Sequence, residues 1–237
     1  MLRRILSSIR GRELDATARA AAEHWDRESQ VRSVYWTEPP IVRAHVNELI
    51  SGVAWLSPTQ ALKAGWAYNP LPRGLSIGCG TGALERDIWR QRICLRVEGT
   101  DISRTSLATA RRLAAEEGMR GITYRRESFN DLKLRPSHYD IVFFHGSLHH
   151  VTDPDACLAE VENGLKPHGL LYIDEYVGPS RGEWGEEHLC HVREEYDRVD
   201  EALHRYPVAP PVAPGDPSEM IRSSRILPAI EERFEIL

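Results

Sequence analysis

Three groups of residues in this sequence have the types and spacing to do chemistry. Gly78, Gly80 and Gly82 fall within five positions of the stretch Leu75-Ser-Ile-Gly-Cys-Gly-Thr-Gly-Ala-Leu84. Such a turn bends the backbone sharply and lets a ligand approach without meeting a Cβ. A helix beginning behind it adds unpaired N–H groups and positive dipole potential. Asp101 lies 19 residues beyond Gly82, in Gly99-Thr-Asp-Ile-Ser103. A carboxylate there can accept from both hydroxyls of a ribose whose remaining parts lie on the glycine turn; its plainer role is to cap the next helix. The third group is His145, His149 and His150 with Asp174, Glu175 and Tyr176, general-base types at the ends of two apolar runs.

These residues need a sheet to position them. From Gly74 onward apolar runs alternate with helical patterns, which implies parallel strands. Strands are expected at Leu75–Ile77, Cys94–Thr100, Ile122–Arg126, Tyr139–Phe144 and Leu170–Asp174. Each chemically suggestive group then falls at a carboxyl end, where open α/β sheets bind ligands. Ser103 and Asp153-Pro154 start helices, and Gly118 stops one. Before the sheet, an alanine-rich helix spans about 13–29. A second runs from Pro39-Pro40 to Ser51-Gly52, with Ile41, Val42, Val46, Leu49 and Ile50 for packing. Tyr35 and Trp36 sit between them, and 53–74 reads as irregular. After Gly178 a charged helix is expected over 183–205, then a proline-dense connector, a helix near 218–232 and a sixth strand opening at Phe234.

The chain has 237 residues, 41% apolar and 27% charged, which suits one α/β domain with a helical appendage. A net charge of −5 argues against a general nucleic-acid binder. No apolar run approaches the roughly 20 residues of a membrane span. Cys79, Cys94, Cys157 and Cys190 are scattered, as reduced thiols in a cytoplasmic protein are. His188, Cys190 and His191 match no zinc spacing, and no metal ligand is assigned.

Ile77-Gly-Cys-Gly-Thr-Gly82, Gly99-Thr-Asp-Ile-Ser103, Tyr139-Asp-Ile-Val-Phe-Phe-His-Gly-Ser-Leu-His-His-Val151 and Leu165-Lys-Pro-His-Gly-Leu-Leu171 stand in order. Together they resemble the class I S-adenosylmethionine-dependent methyltransferases over about 74–178. The resemblance implies a Rossmann-like, doubly wound, mostly parallel sheet with helices on both faces. It implies that 1–73 form a helical extension or lid, and that 74–237 form the methyltransferase domain, ending within the sixth strand with the final strand missing.

S-adenosylmethionine is the implied cofactor. Gly78, Cys79, Gly80 and Gly82 would pass its methionine part and ribose, Asp101 would hold the ribose, and Ile102 would lie against adenine. Ser128, Phe129 and Asn130 share the adenine edge, where the family commonly has an Asp. His145 and Gly146 would border the sulfonium. His145, His149 and Glu175 are candidates for the base or for orienting the acceptor, a small molecule, with His150 more structural. A second copy or a partner would cover the open sheet edge. The rival readings are a non-catalytic or truncated relative that still binds cofactor, and an NAD(P)-dependent oxidoreductase, for which no catalytic dyad is convincingly placed.

Overall fold

The computed structural model describes residues 16–28, 39–204, 207–210, 212 and 215–237; Tyr35 and Trp36 lie outside them. Helix α1 (Ala16–Glu28) buries Ala18, Ala21, Ala22 and His24. Helix α2 (Pro40–Ser51) starts on proline and ends at Gly52, whose φ of 75° closes it. The expected packing face of α2 is corrected: Ile41, Leu49 and Ile50 are exposed. Its buried residue is Asn47, whose Nδ2 donates to the Ala54 carbonyl at 3.0 Å. The Ser51 hydroxyl ties the helix end to the turn through Val53 and Leu56.

Residues 53–74 are not irregular throughout, because α3 (Pro58–Gly65) lies within them. Ser57 accepts from the Gln60 N–H, and the Gln60 side chain accepts from the Ser57 N–H. This capping box was readable from Ser57-Pro-Thr-Gln60.

The alternating region then runs β1 (Leu71–Ile77), α4 (Ala83–Arg90), β2 (Cys94–Asp101), α5 (Arg104–Glu116), β3 (Ile122–Arg126), β4 (Tyr139–His145), α6 (Pro154–Gly164) and β5 (Leu165–Asp174). Strand β1 starts earlier than Leu75 because Leu71 and Arg73 already pair with Cys94 and Arg96. Helix α7 (Glu186–Tyr196) is shorter than expected; it buries no residue and has no packing face to extend along. Helix α8 (Ser223–Glu231) follows. The sixth strand expected at Phe234 does not form, and Phe234 instead packs on the core.

Among the described residues the five strands are all parallel, in the order β3-β2-β1-β4-β5. Ile77 pairs with Thr100 on one side and Phe144 on the other. The connection from β3 crosses to the far side of β1, so β1 and β4 flank the point where strand order reverses. A crevice opens beyond their carboxyl ends. Val142 and Phe144 pack with Leu158, Val161 and Ile226 on one face. Ile141 and Phe143 pack with Leu62, Ile88 and Val97 on the other. Phe143 and Phe144 are each fully buried, worth about 1.5–3 kcal/mol apiece. Among the described residues no helix is long and apolar enough to cross a membrane.

Candidate cofactor and acceptor site

The glycine turn leaves β1 and is tied at once to β2. The N–H groups of Gly78 and Cys79 both donate to the Thr100 carbonyl, at 2.8 and 2.9 Å. Gly78 has φ of 75°, and a Cβ there would overlap the Ser147 Cβ. The loop after β4 therefore lies directly on the turn, held by the Ser147 hydroxyl donating to the Ile77 carbonyl at 2.7 Å. Gly78→Ala is expected to lower unfolding free energy by about 1–3 kcal/mol in urea titration. An unchanged midpoint would mean that the loop does not rest on the turn.

Beside the turn is a cavity of about 330 Å³, lined by Gly78, Cys79, Thr81 and His145 together with Glu85, Asp87 and Asp174. Its described lining holds three carboxylates and no lysine or arginine. Such a cavity is complementary to a cation. His145 Nε2 stands 3.5 Å from Asp174 Oδ2, and both side chains are half-exposed. Cys79 is no nucleophile, since burial pushes its thiol far above the ordinary range.

Glu85 is the residue that sequence reasoning missed. It lies in the first turn of α4, fully buried, with the Ser76 side chain beside its carboxylate. Burial raises it to about 7 from 4.5. From sequence alone, an acidic residue there reads as an ordinary complement to the helix dipole.

Asp101 stands on the other flank and does not line the cavity. Its Oδ2 accepts from the Gly80 N–H at 2.7 Å and its Oδ1 from the Ser103 N–H at 2.8 Å. One carboxylate thus fixes both the glycine turn and the start of α5. Burial pushes Asp101 above the ordinary range against the lowering effect of these donors. Ile102 is covered by Ala18 and Ala22 of α1. From the same helix, Asp26 Oδ1 accepts from the Ser103 hydroxyl at 2.6 Å and the Thr105 N–H at 3.0 Å.

Ser128 caps a short 3-10 turn through the Asn130 N–H at 3.3 Å. Asn130 Oδ1 in turn accepts from Thr152, and Phe129 packs against the core. Gly146 has φ of 60° and donates to the Asp174 carbonyl at 2.8 Å.

Glu175 points into the loop after β4. Its carboxylate accepts from the N–H groups of Ser147, Leu148 and Tyr176 and bonds His149 Nδ1. Burial alone would raise it, but the His149 contact and these donors hold it below the usual range. His149 lies between Glu175 and Glu219, whose Oε1 is 3.5 Å from Nε2. Burial lowers His149, but the surrounding carboxylates outweigh it and leave its titration raised. Burial and the neighbouring His149 lower His150 to about 4. Arg181 is taken up by the carbonyls of Asp216 and Pro217. Of the catalytic candidates, His145 is the one that lines the cavity.

A parallel sheet with a strand-order reversal, a glycine turn and an acidic residue after β2 defines a Rossmann-like nucleoside-cofactor protein. A family model described as a methyltransferase domain matches residues 75–173. The ubiquinone biosynthesis O-methyltransferase of Parvibaculum lavamentivorans is 29% identical over 167 residues, covering 70% of this chain and 62% of that protein. Its namesake from Neisseria meningitidis is 34% identical over 102 residues, 43% of this chain and 42% of that one. The chain thus spans less than two thirds of either relative. Among solved structures, the [4+2]-cyclase SpnF superposes with a TM-score of 0.59 at 16% identity, over 92% of this chain and 72% of that one. That likeness shows the fold alone. The family model and the two curated relatives are methyltransferases, and residues 75–173 are the part of the chain that resembles their common domain.

Proposed function

We propose that this chain transfers a methyl group from S-adenosylmethionine to a small-molecule acceptor by in-line displacement, releasing S-adenosylhomocysteine. The observation that carries the reading is the acidic cavity against the glycine turn, since the donor's methionyl end bears both an ammonium and a sulfonium. When bound, the donor supplies an already activated methyl group, so alignment does most of the catalysis.

The chain's own residues divide the binding work. Gly78, Cys79, Gly80 and Gly82 give backbone approach, and Glu85 takes the ammonium. Asp101 accepts from the ribose hydroxyls through its remaining lone pairs. Ile102 and Ser128, Phe129 and Asn130 border adenine beneath α1, which acts as a lid over the methyltransferase domain. Gly146 holds the loop beside the sulfonium.

The curated relatives are named O-methyltransferases, which favours a hydroxyl acceptor. His145, oriented by Asp174, then receives the hydroxyl proton. Glu175 and His149 position the loop that follows it. His145→Gln should lower kcat by about 10²–10⁴-fold while leaving S-adenosylhomocysteine affinity unchanged. Unchanged turnover would remove His145 from the proton path.

The four free cysteines suit the cytoplasm. Strand β5 pairs only with β4 among the described strands, so we place a second copy or a partner on its outer edge. A common fold does not carry a common chemistry, and calorimetry separates the rival readings. No binding of S-adenosylmethionine by folded protein would sink the enzyme reading. Binding without turnover on any hydroxylated acceptor would favour a non-catalytic relative.

A further inference from the structure

Among the described residues, one group places three metal-ligating side chains together: His149, His150 and Glu219 offer donor atoms within 4.8 Å of one another. We propose that this group binds one divalent transition-metal ion, zinc by the chemistry of its donors. The site goes beyond the methyl-transfer reading and does not depend on it.

The hydrogen bonds of both imidazoles leave one ring nitrogen of each for a metal. His149 Nδ1 is bonded to Glu175, which leaves Nε2 as its ligand atom, 3.5 Å from Glu219 Oε1. His150 Nδ1 faces the Ser218 hydroxyl at 3.2 Å and Asp216 Oδ2 at 3.4 Å, which leaves its Nε2. A carboxylate behind each ligating histidine sets the tautomer and raises basicity, the usual outer shell of a metal site. Two imidazoles and one carboxylate suit zinc and leave a fourth position for water or an acceptor oxygen.

Charge points the same way. Glu175, Asp216 and Glu219 surround the two imidazoles, and their side chains are 1%, 0% and 12% exposed. Asp216 Oδ2 is buried with the His150 ring beside it, Nδ1 at 3.4 Å. Arg181, the nearby cation, donates to the backbone carbonyls of Asp216 and Pro217. A dication would offset the excess negative charge and release any proton carried by His149. It would also clamp the segment around Glu219 to the loop that rests on Gly78.

The test uses the full chain stripped with chelator and then titrated with Zn²⁺ by calorimetry, with bound metal counted by atomic emission. One equivalent should bind and raise the melting temperature. Glu219→Gln removes a ligand and should weaken Zn²⁺ by more than the about 10–100-fold typical of an outer-shell partner. Asp216→Asn should fall within that range. The exposed Cys190 and His191 are the alternative locus, so Cys190→Ser with His191→Ala should leave binding intact.

Co²⁺ substitution of unmutated protein gives a readout that needs no variant. A visible absorption spectrum without a thiolate charge-transfer band supports the His-His-Glu site. Absence of stoichiometric binding, a thiolate band, or full affinity in folded Glu219→Gln would overturn the proposal.

Discussion

Alanine at position 101 is expected to cost the protein both its donor affinity and part of its stability. In the free protein the Asp101 carboxylate accepts from the Gly80 and Ser103 N–H groups. Removing it leaves two partly buried donors unpaired, at about 1–3 kcal/mol each. Urea titration should therefore show a loss of about 2–6 kcal/mol, as for other broken buried networks. Binding should suffer further, because each ribose hydroxyl donating to a charged acceptor is worth about 1.5–3 kcal/mol. Affinity for S-adenosylhomocysteine should fall by more than about 100-fold. Asp101→Asn keeps one acceptor oxygen and should fall between the two in both measurements. Unchanged affinity in folded Asp101→Ala would refute the ribose contact and leave Asp101 as a cap for the turn and helix.

Glu85→Gln should move stability and binding in opposite directions. Glu85 is fully buried, and burial raises it to about 7 from 4.5 against the lowering effect of the Ser76 side chain. A carboxyl raised in the folded state favours folding while protonated, and that contribution is lost as pH rises through the folded value. Stability of the free protein should therefore decline between about pH 4.5 and 7, by about 3 kcal/mol for a shift of this size. Glu85→Gln should flatten that slope and raise the melting temperature at pH 8.

The same substitution removes the partner proposed for the donor's ammonium. It should weaken S-adenosylhomocysteine about 10-fold or more, a charge-assisted hydrogen bond's worth. Affinity for 5′-methylthioadenosine, which lacks the amino-acid part, should stay the same. Equal losses for both ligands would mean that Glu85 only shapes the turn. Failure of unmutated protein to bind either ligand would instead overturn the cofactor reading itself.

The order of the strands along the chain was legible because the central strands β1 and β4 are short apolar runs buried on both faces. Ile122–Arg126 emerged with the expected bounds, and Ser103, Asp153 and Gly118 stand where helix starts and stops were read. The glycine turn and Asp101 were equally legible, since backbone shape and strand ends follow from local chemistry. The exposed faces of α2 and the shortened α7 were not. An apolar stripe says that a surface wants burial, and only the neighbours decide whether burial is supplied.

What the sequence by itself determined is the strand, the glycine turn and the acidic residue after β2, because glycine content, helix caps and strand ends are written in local residue types. What only the tertiary structure decided is the meaning of the polar residues. Glu85 reads as a surface acid until α4 turns it under the turn. Glu175 reads as a base until its oxygens meet three N–H groups and His149. Glu219 gains meaning only when the segment after the proline-rich connector folds back beside His149. Ionisable side chains take their roles from desolvation and from partners distant in sequence, and both are properties of the folded interior.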